Sequence, residues 1–100
     1  MLGMKHTSKM NRILGRMAKI GRMERGKLCQ MAGRPHYNHQ TWQDGRNVVR
    51  YVPASETEAL QEAIEGYRQF IALAEQYADE VIRMTRRETE RARKQKEPKS

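Results

Sequence analysis

The chain has 100 residues, 37% of them hydrophobic and 32% charged, and a formal net charge of +8. That length allows one small domain at most, and the single cysteine, Cys29, excludes an internal disulfide and favours a reducing compartment. No stretch approaches the roughly 20 apolar residues that span a bilayer, and no unbroken apolar run follows Lys5 as in a secretory signal, so a soluble, cytoplasmic protein without a membrane role is expected.

Residues 1–6 read as a disordered start. From Thr7 to Arg25 the apolar positions Met10, Ile13, Leu14, Met17, Ile20 and Met23 follow steps of three and four, which predicts an amphipathic helix over 7–25. Thr7 or Ser8 can cap it and Gly26 can end it. Arg12, Arg16, Lys19 and Arg22, with Lys9, fill much of the remaining surface.

Residues 27–32 are extended in character and offer a third strand, broken by Gly33, Arg34 and Pro35. The runs 36–43 and 46–52 flank Asp44-Gly45, a two-residue hairpin signal because both turn positions need positive φ. The implied register sets Gln43 opposite Arg46, Trp42 opposite Asn47, Thr41 opposite Val48, His39 opposite Arg50 and Tyr37 opposite Val52. One face then carries Tyr37, Thr41, Val48 and Val52, and the other carries Trp42, Val49 and Tyr51 with Gln40 and Asn38.

Pro53 ends the hairpin, and Ser55 with Glu58 forms a capping-box pattern. Leu60, Ile64, Tyr67, Ile71, Ala74, Ala78 and Val81 then recur at alternating steps of four and three, a heptad stripe that predicts a long helix over 56–86. At about 1.5 Å per residue it spans roughly 45 Å, too long for the hairpin alone to cover. The stripe must pack on the first helix, on a second copy or on another protein. Residues 87–100 read as a basic tail in which helix can continue to about Lys94 and then fray. The architecture expected is α+β: a single small domain over 7–86, with a basic N-terminal helix, an antiparallel hairpin or three-stranded meander, and a long C-terminal helix.

Candidate chemistry is sparse. Cys29, His36 and His39 are soft ligands, but structural zinc takes four, usually with paired cysteines, and His36 and His39 alternate to opposite faces of a strand. No metal site and no cofactor are expected. Cys29 as a nucleophile needs a base and a lowered pKa, and nothing around it resembles a catalytic loop. Glu58, Glu62 and Glu65, with Asp79 and Glu80, read as a solvated acidic surface on the outer side of the long helix. No P-loop, GxGxxG, HExxH or GxSxG occurs. The chain reads as non-enzymatic.

Charge is the stronger guide. Residues 1–52 carry a net +9, residues 53–80 a net −6 and residues 81–100 a net +5. A basic opening half of this kind favours polyanions. Arg12, Arg16, Lys19 and Arg22 are the candidate phosphate contacts, extended by Arg46 and Arg50, with Trp42 or Tyr37 available to stack. The leading expectation is a small accessory protein that binds DNA or RNA through phosphate. The alternative is an interaction module that dimerises or docks through Leu60, Ile64, Tyr67, Ile71, Ala74, Ala78 and Val81.

The order Gly26-Lys27-Leu28, His36-Tyr37, Trp42-Gln43-Asp44-Gly45-Arg46, Tyr51-Val52-Pro53 and Gly66-Tyr67-Arg68 resembles a group of short uncharacterised bacterial proteins, a domain of unknown function. The resemblance covers about residues 26–85. It implies an extended unit ending in Tyr-Val-Pro before a long helix, and an association with transposons and other mobile elements. Proteins of that group commonly carry several cysteines before the hairpin, in an arrangement that suggests metal binding. This chain has Cys29 alone in a shortened segment, so that feature is not carried over.

Overall fold

A computed structural model describes residues 7–30 and 36–96. The loose start expected at 1–6, the break at Gly33-Arg34-Pro35 and the end of the tail at 97–100 lie outside the described residues. The elements are α1 (Ser8–Ala18), β1 (Lys27–Gln30), β2 (Tyr37–Gln43), β3 (Arg46–Val52), a 3-10 turn (Ala54–Glu56) and α2 (Thr57–Lys96). The fold is α+β, as the sequence pattern implies. It gathers into two compact units, Met1–Lys19 with Ala72–Ser100, and Ile20–Ile71, with α2 contributing to both.

In the first unit α1 begins at a cap built by Thr7. Its Oγ1 accepts from the Met10 N–H at 3.0 Å, and its own N–H donates to Met10 Sδ at 3.4 Å. Met10 and Ile13 are buried, one turn apart, while Arg12 and Arg16 face water. On α2 the same unit buries Leu73 and Glu80 and half-buries Ala74, Tyr77, Ala78, Val81 and Met84. Lys9 Nζ lies 3.3 Å from Glu80 Oε2, which ties α1 to α2.

The helix expected over 7–25 stops at Ala18. The Lys19 N–H donates to the Arg16 carbonyl at 3.2 Å in a tightened last turn, and residues 20–25 continue without regular structure. The reason lies in the second unit. There the Glu24 N–H donates to the Ala63 carbonyl of α2 at 2.9 Å. The Arg22 carbonyl and the Ile20 side chain rest over Gly66, where a Cβ would collide with that carbonyl and stand 3.2 Å from Ile20 Cγ2. Docking on α2 gives the Glu24 N–H the partner that a longer helix would have supplied.

The sheet of the second unit has the order β1-β2-β3, all antiparallel, so residues 27–30 supply the third strand. Asp44 (φ 49°) and Gly45 (φ 79°) make the tight turn. The β2–β3 register pairs Gln43 with Arg46, Trp42 with Asn47, His39 with Arg50 and Tyr37 with Val52, as the turn position implies. Gly26 (φ 91°) enters β1 under the Gln40 carbonyl, with no room for a side chain. Val52 and Ile64 are almost wholly enclosed.

α2 differs at its start. Ser55 lies inside the 3-10 turn and does not cap the helix. Thr57 Oγ1 instead donates back to the Ala54 carbonyl at 2.9 Å. The helix runs past 86 to Lys96, close to the continuation expected to about Lys94, because no Gly or Pro interrupts residues 67–96 and Ala, Arg, Glu, Gln and Lys favour helix.

Candidate functional site

Arg12, Arg16 and Lys19 follow steps of four and three, so they form one exposed row along α1 and its C-terminal cap, away from Met10 and Ile13. Arg22 is exposed too, but it belongs to the 20–25 segment of the second unit rather than to the helix. Among the described residues, ion pairs join Lys9 and Arg83 to Glu80, and Arg68 to Glu65. None of these uses Arg12, Arg16, Lys19, Arg22, Arg46 or Arg50.

Strand alternation sorts the sheet into two faces. The inner face carries Leu28, Tyr37, His39, Thr41, Val48, Arg50 and Val52, with Gln43 and Arg46 towards the turn. His39 is its polar centre and is only 5% exposed. Its Nε2 lies 2.7 Å from the Arg25 carbonyl, which can only accept, so the ring proton is on Nε2. Its Nδ1 then accepts from Arg50 Nη2 at 3.4 Å. Beside it Glu24, Thr41, Gln43, Val48 and Arg50 complete the lining of an open hollow of about 170 Å³. The Arg25 guanidinium stacks 5.1 Å from the centre of the Tyr67 ring.

The outer face carries Lys27, Cys29, Asn38, Gln40, Trp42, Asn47, Val49 and Tyr51. Trp42 is 71% exposed, Tyr51 57% and Val49 52%. Trp42 is therefore on the face opposite Arg46 and Arg50, and the patch expected to combine them is divided by the sheet. His36 sits at the same outer face, its ring 5.8 Å from that of Tyr51, while His39 points inward. The His36 Nδ1 is buried without a partner among the described residues. No three His, Cys, Asp or Glu side chains gather into a metal site among those residues.

The acidic surface expected on α2 holds for Glu58, Glu62, Glu65 and Asp79, which are exposed. Glu80 departs from it. It is 6% exposed, with Arg83 Nη2 at 2.8 Å from Oε1 and Lys9 at Oε2. The Arg83 hydrogen bond holds the Glu80 carboxyl below its ordinary range, against the opposing effect of burial and with further help from Lys9. The same bond raises Arg83.

The heptad stripe of α2 is partly covered. Ile64 is buried, Leu60, Tyr67, Ala74, Ala78 and Val81 are half-buried, and Ile71 remains 41% exposed. From residue 73 the deepest positions shift to Leu73 and Glu80, off the stripe. Among the described residues no helix is long and apolar enough to cross a membrane.

The residues that the sequence pattern underrated are Gly66, His39, Tyr51 and Val49. The register already set His39 beside Arg50, and Tyr51 and Val49 on the face of Trp42. Only the path of residues 20–25 gives Gly66 and the Arg25 carbonyl their parts. No protein-family model, curated protein or solved structure matches the chain.

Proposed function

We propose that this chain is a small accessory protein that binds nucleic acid through its phosphates, with Arg12, Arg16 and Lys19 of α1 as the main contacts. The observation that carries this reading is the exposed cationic row on α1, which enters no ion pair among the described residues. Surface cations held near one another without compensation attract a polyanion and release its condensed counterions on binding. Arg22, Arg46 and Arg50, also exposed, add cations in the second unit. The association with mobile elements rests on the sequence resemblance alone. Filter binding of a labelled oligonucleotide at two salt concentrations tests the reading. Affinity is expected at low salt and falls steeply as salt rises; absence of binding at low salt contradicts it.

A second reading is docking of a partner helix on α2. Ile71 and Ile82, both more than two-fifths exposed, favour it. Enclosure of Ile64 removes one of the two isoleucines of the stripe from any such interface. Light scattering of the chain and of an Ile71→Asp, Ile82→Asp variant separates the two readings: a mass above one chain that the variant loses supports docking.

A further inference from the structure

Phosphate contacts through α1 leave the outer face of the sheet without a role. The register arranges that face in three cross-strand rows: Trp42 with Asn47; Lys27, Gln40 and Val49; Cys29, Asn38 and Tyr51. Two aromatic rings and a valine are more than half exposed there. The rows contain three amide side chains, one ammonium and no carboxylate. Residues 20–52, which include all three strands, carry a net +4.

We infer that this face is a stacking platform for the unpaired bases of a single nucleic-acid strand. Trp42 and Tyr51 each take the face of one base, and the row of Lys27, Gln40 and Val49 holds the nucleotide between them. Same-face rows are two residues apart, about 7 Å along a strand, which is comparable with the step between nucleotides in an extended single strand. Asn38, Gln40 and Asn47 offer both donors and acceptors to base edges beside the rings. Bases in a duplex are stacked on one another and cannot present their faces, so the platform selects unpaired strands. A second copy of the chain is a poorer occupant, because it would set Lys27 and the same +4 segment against themselves. The inference rests on the nucleic-acid reading above and adds the state of the strand to it.

Trp42 is the only tryptophan, so its emission reports on this face directly. The full chain is titrated with an oligothymidylate of about ten nucleotides and with a duplex of equal length. The oligothymidylate is expected to quench Trp42 emission to saturation and to bind more tightly than the duplex. Trp42→Ala and Tyr51→Ala should each weaken it roughly ten- to a hundredfold, leave its salt dependence unchanged, and leave the circular dichroism intact because both rings are exposed. Trp42→Phe should retain most of the affinity. Salt-dependent binding with unmoved emission and unaltered affinity in Trp42→Ala overturns the platform while sparing the phosphate contacts. Tighter binding of the duplex also overturns it. Failure of both oligonucleotides to bind overturns both readings. A dimer in light scattering that Trp42→Ala disperses assigns the face to a second copy and overturns the platform.

Discussion

Gly66 of α2 lies directly against the backbone carbonyl of Arg22, closer than any side chain would allow. Within the second unit this contact seats the 20–25 segment against α2. Gly66→Ala must displace backbone rather than a flexible side chain, so it should destabilise by about 2–3 kcal/mol, the upper part of the range for overpacking. Gly15→Ala is the control. Gly15 is in mid-helix with open space around it, so alanine there should stabilise by about 0.5–1 kcal/mol. Urea denaturation of both variants measures the contrast.

His39 joins β2 to the 20–25 segment through the Arg25 carbonyl. His39→Ala removes a buried ring and leaves that carbonyl without its donor, which should cost about 2–3 kcal/mol in a chemical denaturation curve. Arg50→Met removes only the longer hydrogen bond of an exposed side chain and should cost less than about 1 kcal/mol. Equal losses for the two variants would contradict this account of the inner face.

Glu80 makes stability depend on acid. Its pKa in the folded chain is below the ordinary value of 4.5, chiefly through the Arg83 hydrogen bond. The folded state therefore holds the carboxylate more strongly than the unfolded chain does. Its stabilising contribution is complete above about 4.5 and is lost as the pH falls through the lower folded value. The difference in melting temperature between the native chain and Glu80→Gln should be constant above that range and shrink below it. A difference independent of pH would contradict the ion-pair assignment.

The hairpin was legible because its determinants are local. Asp44-Gly45 fixes the turn, alternation fixes the faces, and the structure reproduces the register residue by residue. The Thr7 cap is local too. The end of α1 was not, because Ile20 and Met23 continue the helical spacing while the competing partner, Gly66, lies more than forty residues away. Glu80 misled for a related reason. Its charge marks it for water, and its burial is met by Arg83 one turn on and by Lys9 from α1, an approach that the spacing along α2 does not reveal. The separation of Trp42 from Arg46 and Arg50 was implicit in the register, since Trp42 pairs with Asn47. Exposure of the basic row on α1 follows from the burial of Met10 and Ile13 opposite it.

The row on α1 is tested most directly by the salt dependence of oligonucleotide affinity in the native chain and in a variant carrying Arg12→Gln, Arg16→Gln and Lys19→Gln. All three side chains are exposed, so the variant should fold as the native chain does. At about 0.7 of slope per phosphate contact on a single strand, the logarithmic salt dependence should fall by roughly two units. Equal slopes in the two proteins would contradict phosphate binding by α1.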